Sequence, residues 1–421
     1  MINRETNQLC KIAPRFFYGY IVVVAAIFIM MVSFGPYGAF GVFFKPLLAE
    51  FGWTRAMTSG AYSLSMILHG VLGIIMGGIA DRFGPRLVVT FCGFFLGLGY
   101  LLMSQVGAVW QLYLFYGVII AIGMSGVWVP LMSAVARWFV MRRSLMTGIV
   151  VAGAGTGGLI APPVISRLIA VYDWRLSYVI LGSIVLLIMV LAAQFLRREP
   201  AQMGQLPYGG GDNEEKQKEL ESQAKGFSLK EVVYTTQFWL VFIILSCFGF
   251  CMIASMVHIV PHATDLGISA VSAANILAVM GGIGIPGNYV LGSVADRIGN
   301  RRVFIICFIA IAATFFLLLL ARELWMLYLF AVIFGFALGG MSASESPLVA
   351  SLFGLSSHGL IYGVLSMGFT VGASVGPFLT GYIFDVTGSY QLAFLVCIAI
   401  GIIGIILAAV LRPTKRIGGR I

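Results

Sequence analysis

The sequence predicts an all-α membrane protein, with twelve transmembrane helices in two related six-helix halves and both termini cytoplasmic. Of its 421 residues 60% are hydrophobic and 10% charged, its apolar runs are long and unbroken, and its second half repeats its first at a constant offset of 215 residues. That composition leaves too little polar surface for a water-soluble domain. A hydrocarbon core about 30 Å thick takes about 20 apolar residues per helix. Twelve runs meet this length, at 17–44, 57–79, 87–106, 109–135, 145–168, 174–196, 237–260, 271–294, 303–321, 325–352, 360–382 and 390–411. Barrel strands would show only a weak alternation over short segments, so each run reads as a helix.

The basic residues set the orientation, because Lys and Arg accumulate on the cytoplasmic side. With the N-terminus inside, 21 of the 26 Lys and Arg fall on cytoplasmic segments, and Lys45, Arg55, Arg167, Arg175 and Arg322 fall outside. The net charge of +10 then faces the anionic inner leaflet and implies no nucleic acid. The expected location is a plasma membrane, as a multi-pass protein of a bacterial or archaeal cytoplasmic membrane.

The repeat needs no gap over more than a hundred residues. Gly77, Asp81, Arg82, Gly84 and Arg86 fall on Gly292, Asp296, Arg297, Gly299 and Arg301, and Trp110–Phe115 falls on Trp325–Phe330. Gly148, Gly153, Gly157 and Pro162 fall on Gly363, Gly368, Gly372 and Pro377. The expected organisation is a tail at 1–16, a six-helix bundle at 17–196, a flexible cytoplasmic linker at 197–236, a second bundle at 237–411 and a tail at 412–421. The stretch Phe227–Val233 is amphipathic enough to lie on the membrane surface. The 52 glycines suit close helix packing in lipid, and those of spans 5 and 11 read either as sliding points or as static packing. The six cysteines have neither disulfide nor metal spacing. No P-loop, HExxH or nucleophile elbow is present, so neither catalysis, a cofactor nor ATP is expected.

Loops 2–3 and 8–9 carry Gly77-x-x-x-Asp81-Arg82-x-Gly84-x-Arg86 and Gly292-x-x-x-Asp296-Arg297-x-Gly299-x-Arg301. These resemble the signature loop of the major facilitator superfamily, whose parallel six-helix repeats the offset also matches. The expected gating set is Asp81, Arg82, Arg86, Asp296, Arg297 and Arg301, with each Asp capping an adjoining helix or pairing with Arg. Tyr18-Gly19-Tyr20, Val42-Phe43-Phe44-Lys45, Trp138-Phe-x-x-Arg142-Arg143 running on to Gly148, and Thr236-Gln237-Phe238-Trp239 resemble the monocarboxylate transporters and the related oxalate:formate antiporters.

The resemblance implies an Arg in span 8 four residues after an Asp or Asn, and in the antiporter branch a Lys in span 11. The matching positions here are Asn288 after Gly284, and Phe369. Both family cations are therefore replaced. Either the solute is neutral where it binds, or hydroxyls, amides and a protonatable His take the place of the Arg.

Ionisable groups at membrane depth are functional candidates. His69 lies twelve residues before Asp81, about 18 Å along span 2. It reads as a proton-coupling and substrate-binding residue, or as a neutral His hydrogen-bonded between helices. Glu345 reads as a proton carrier, or as a gating partner of Arg297 or Arg301. Lys45 reads as an attractor for anions or as a snorkelling anchor. Neutral candidates for binding are Asn288, Tyr37, Tyr113, Tyr116, Tyr328, Tyr362 and Ser366, with interface anchoring or packing as the plainer role of each tyrosine. His258 and His262 are expected at the outer interface, and His358 in loop 10–11.

The expected function is secondary active transport by a monomer of a small organic solute, a monocarboxylate such as lactate moving with a proton by alternating access. The alternatives are a neutral or aromatic solute on the same fold, or a non-transporting membrane receptor.

Overall fold

The computed structural model describes residues 17–209 and 226–412, which are mostly helical. Both tails, Cys10 and linker residues 210–225 lie outside the described residues. Twelve helices are long and apolar enough to span a membrane: α1 (Gly19–Phe44), α2 (Met57–Phe83), α3 (Pro85–Met103), α4 (Val109–Trp138), α5 (Arg143–Val171), α6 (Trp174–Ala193), α7 (Thr236–Asp265), α8 (Ser272–Ile298), α9 (Asn300–Leu320), α10 (Leu324–Phe353), α11 (His358–Thr387) and α12 (Gln391–Val410).

Two helices depart from regularity. In α1 the ladder breaks at Ala39, three residues after Pro36, and a second helical piece continues through Phe40–Phe51; proline supplies no N–H and disrupts the preceding turn. In α4 a π-helical stretch occupies Tyr113–Ile120. Gly84 and Gly299 stand at φ 90° and 92°, each between two helices. A side chain is strained there, which explains the second glycine of each signature loop.

The first six helices pack together through α1 on α5 and α3 on α6, and the last six repeat this with α7 on α11 and α9 on α12. Glycines allow the approach: Gly153 lies against the Ile27 carbonyl and Gly372 against that of Ser246. Small residues at such crossings are the usual means of helix association in lipid. Between the halves, α2 meets α11, α5 meets α8 and α10, and α4 meets α10 and α11.

The halves meet at one end only. Along α5 the residues from Arg143 to Gly153 are almost all buried, while Gly158, Leu159, Ile160, Val164 and Val171 are exposed. Along α11 the residues from His358 to Leu365 are almost all buried, whereas Val371, Val375, Phe378 and Tyr382 are exposed. The end bearing Asp81 and Asp296 is closed, and the opposite end is splayed.

The linker is more ordered at its ends than a flexible tether. The Tyr208 N–H donates to the Trp138 carbonyl at 3.0 Å, and the Phe227 N–H to the Phe353 carbonyl at 2.9 Å. Trp138 and Phe353 are repeat mates and end α4 and α10, so both ends of the linker dock on equivalent helix termini. The short helix Leu229–Val233 buries Val232 completely. It packs on the protein with that residue.

Candidate functional site

The closed end is built by two symmetric sets of contacts. Asp81, at the end of α2, accepts from the N–H groups of Gly359 (3.1 Å) and Leu360 (2.9 Å), which open α11 in the other half. Asp296, at the end of α8, accepts from Ser144 (2.8 Å) and Leu145 (2.9 Å), which open α5 in the first half. Each carboxylate thus satisfies orphan donors at the positive end of a helix dipole. Above the caps, Gly77 lies against the Gly359 carbonyl, Gly363 against Ile74 and Gly70 against Thr370. In the second interface Gly292 lies against Ser144, Gly148 against the Asn288 carbonyl and Gly155 against Ile285. Under the 215-residue offset the two caps map onto one another, as do Gly77–Gly359 with Gly292–Ser144, Gly70–Thr370 with Ile285–Gly155, and Gly363 beside Gly73 with Gly148 beside Asn288.

Of the expected gating residues, only the two aspartates bridge the halves among the described residues. Arg86 donates to Gln194 Oε1 at 2.9 and 2.6 Å, within the first half. Arg301 donates to the Ala408 carbonyl at 2.9 Å and to that of Ala409, within the second. Arg82 lies over the adjacent Phe83 ring, and Arg297 is exposed. The cation that reaches Asp81 is Arg137, at 2.7 Å with both side chains about nine-tenths buried. Arg143, itself buried, faces Asp296. Arg137 was not singled out from the sequence, and Arg143 was named only within the motif that begins at Trp138.

The expected pairing of Glu345 with Arg297 or Arg301 is not found. Glu345 is buried and accepts from the Tyr362 hydroxyl at 2.9 Å, and the Tyr362 oxygen accepts from Trp128 Nε1 at 2.9 Å. No cation is paired with Glu345 among the described residues. His358 is not a loop residue: it begins α11, is fully buried, and stacks on Tyr362 with ring centres 5.8 Å apart. Sequence reasoning missed it by starting the helix two residues late; the signal available was the offset, which pairs His358 with Arg143.

The binding candidates divide by depth. His69 is partly exposed between the halves, edge-on to Tyr37 at 6.3 Å, and neither ring nitrogen has a hydrogen-bond partner among the described residues. Trp128 is also partly exposed, set edge-on to Phe34. Tyr37 and Tyr116 do not line open space: both are buried, stacked at 6.1 Å, with the Tyr116 hydroxyl donating to the Tyr37 carbonyl. Tyr113 lies against Gly60 of α2, and its mate Tyr328 is half-buried in the second half. Ser366 donates back to the Tyr362 carbonyl at 2.8 Å. Asn288 is buried, with its amide N–H bonded to the Gly284 carbonyl and its oxygen unpartnered. Phe369, at the other family cation position, packs on Phe248. Lys45 falls in the second piece of α1, and its side chain lies outside the described residues. His258 bonds Tyr390 and the Pro377 carbonyl near the splayed end.

Comparison with known proteins agrees with this architecture. A family model described as Major Facilitator Superfamily matches residues 26–295 and 262–419. Monocarboxylate transporter 13 of Bos taurus is 26% identical over 381 residues, which are 90% of this chain and 86% of that protein. Monocarboxylate transporter 12 of Mus musculus is 25% identical over 420 residues, 95% of this chain and 86% of the relative. Among solved structures, the transporter FucP in an outward conformation superposes with a TM-score of 0.73 at 14% identity, covering 94% of this chain and 99% of that one. The human organic anion transporter MFSD10 superposes at 0.70 with 13% identity, covering 93% and 99%. With the repeated clamps and the monocarboxylate transporter relatives in agreement, the chain belongs to the Major Facilitator Superfamily, in its monocarboxylate transporter-like family.

Proposed function

We propose that this transporter moves a small monocarboxylate together with a proton by alternating access, with the Asp81/Asp296 end cytoplasmic and the splayed end outward. The observation that carries this reading is the pair of crossed Asp clamps, which hold one end shut while the same helices separate at the other. These contacts are few and polar, so they can break when the halves rock. His69 supports proton coupling: it is a partly exposed imidazole between the halves, with no partner to fix its charge, and it can receive a proton with the anion.

A second reading, a neutral or aromatic solute, is favoured by Asn288 and Phe369 at the two family cation positions. Uptake into proteoliposomes separates the two. With labelled lactate, dicarboxylates, amino acids and neutral aromatic compounds, an inward proton gradient is expected to drive lactate accumulation in the wild type. His69→Ala is expected to abolish the gradient's effect. Counterflow restricted to neutral solutes would select the second reading, and no counterflow of any solute would sink transport altogether.

A further inference from the structure

The caps and the glycine contacts above them obey the repeat, but a set of side-chain hydrogen bonds beside them does not. Two hydrogen-bonded chains run from one turn of α4 into the other half. In the first, Trp128 Nε1 donates to the Tyr362 hydroxyl, which donates to Glu345. In the second, His358 Nε2 lies 3.0 Å from Ser346 Oγ, whose hydroxyl donates to the Met132 carbonyl at 3.4 Å. The bond to His358 is the shorter of the two, and which atom donates in it depends on the imidazole tautomer. His358 Nδ1 is buried without a partner, and an imidazolium there would have a second N–H with no acceptor; the ring is neutral. The repeat mates of Trp128, Glu345, Ser346, Tyr362 and His358 are Ala343, Pro130, Leu131, Thr147 and Arg143. None of them can rebuild either chain in the other interface.

Charge balance decides the state of Glu345. Of the groups around it, α4 brings Arg137, already paired with Asp81 of α2, and α5 brings Arg143, facing Asp296 of α8. From α11 come neutral His358 and Tyr362. From α9 come Cys307 and Arg301, the latter turned to the α12 carbonyls, and from α7 come Cys247 and Cys251, with His258 and His262 near its other end. Two carboxylates thus match two arginines, and an ionised Glu345 would be a third anion buried without a cation. Such a charge costs several kcal/mol, a cost removed by protonation.

We propose that Glu345 is a proton-binding site filled when the Asp81/Asp296 end closes and emptied when it opens, with Trp128 and His358 as positioning residues that confine this coupling to one of the two interfaces. The step is protonation of a carboxylate and its reversal, and no other bond is made or broken. Trp128 is the partly exposed member of the chains, so a solute resting on it reaches the latch directly. The proposal rests on the transporter reading and deepens it by adding a second proton-responsive position below His69.

Nitroxide labels at the exposed repeat mates Leu87→Cys and Arg302→Cys, in a Cys10→Ser background, report the separation of the halves at this end in lipid nanodiscs. Lowering the pH from about 8 to about 5.5, a range that covers buried carboxyls and histidines alike, is expected to enrich the short-distance population. In Glu345→Gln that population should be high throughout and independent of pH. In Trp128→Phe the closed-to-open ratio should fall about fivefold at low pH, the worth of one neutral hydrogen bond. A wild-type distribution that ignores pH, or a pH response that survives in Glu345→Gln, overturns the proposal. Uptake by the same unlabelled proteins keeps the two readings apart: transport without a pH-dependent distance strikes the latch alone, and the reverse result strikes the transport reading alone.

Discussion

Asp81 and Asp296 perform the same capping task, but they do not carry the same load. Asp81 also pairs with Arg137 at 2.7 Å, whereas the residue corresponding to Arg137 in the second half is Leu352. Removing Asp81 therefore leaves a guanidinium buried without its counterion, and breaking such a pair from one side costs about 3 kcal/mol or more. Asp296→Ala loses two backbone hydrogen bonds, each worth about 1 kcal/mol or somewhat more with a charged acceptor, and the longer-range attraction of Arg143, which keeps its own bond to the Phe139 carbonyl. The expected outcome is that Asp81→Ala lowers the melting temperature of the purified protein more than Asp296→Ala does. Adding Arg137→Leu to Asp81→Ala should recover part of the loss, because the second half already tolerates leucine at that place. Equal destabilisation by the two alanine variants, with no recovery in the double variant, would contradict the assignment.

At the scale of helices, glycines divide by what they touch. Gly372 of α11 lies against the Ser246 carbonyl of α7, inside one half, while Gly77 of α2 lies against the Gly359 carbonyl of α11 in the other. A methyl group at either position meets backbone, which cannot turn aside as a side chain can. The consequences differ because one contact persists through the cycle and the other opens. Gly372→Ala is expected to reduce folded yield and melting temperature. Gly77→Ala should leave yield near wild type and shift the Leu87/Arg302 label distances toward the open form; a normal distance distribution in Gly77→Ala would refute the distinction. Much of this was legible beforehand, since the twelve spans, the repeat and the signature loops all rest on composition and spacing. The π-helical stretch of α4 and the docked linker ends were not, because local hydrogen-bond slippage and loop packing leave no periodic trace. His358 and the Glu345–Tyr362 bond escaped because the rotation of two neighbouring helices about their axes, which brings these side chains together, is not written in spacing, and the Trp128–Tyr362 bond escaped because it depends on how the halves meet. That meeting was itself encoded in the offset, as the paired contacts of Asp81 and Asp296 show.

The whole molecule combines a twofold-related clamp with one-sided extras, and its direction in the membrane determines what those extras accomplish. Arg82, Arg86, Arg297, Arg301 and Arg302 crowd the closed end together with Arg137, Arg142 and Arg143, whereas Arg175 at the splayed end is matched by Glu50 at 2.5 Å. That salt bridge and the Trp174 hydrogen bond hold the Glu50 carboxyl below the usual carboxylate range, so Glu50 stays ionised at neutral pH. An excess of Lys and Arg marks the cytoplasmic face, which supports the proposed orientation, with the splayed end external and the Glu345 latch internal. A proton released from Glu345 on opening would then enter the cytoplasm, in the direction of uptake. Single cysteines test this in a Cys10→Ser background: Val171→Cys at the splayed end and Ser356→Cys at the closed end, both exposed to solvent or interface. A membrane-impermeant thiol reagent applied to intact cells should modify the cysteine at position 171 and reach that at position 356 only after permeabilisation. The opposite pattern would invert the molecule, and with it the side from which both solute and proton are taken.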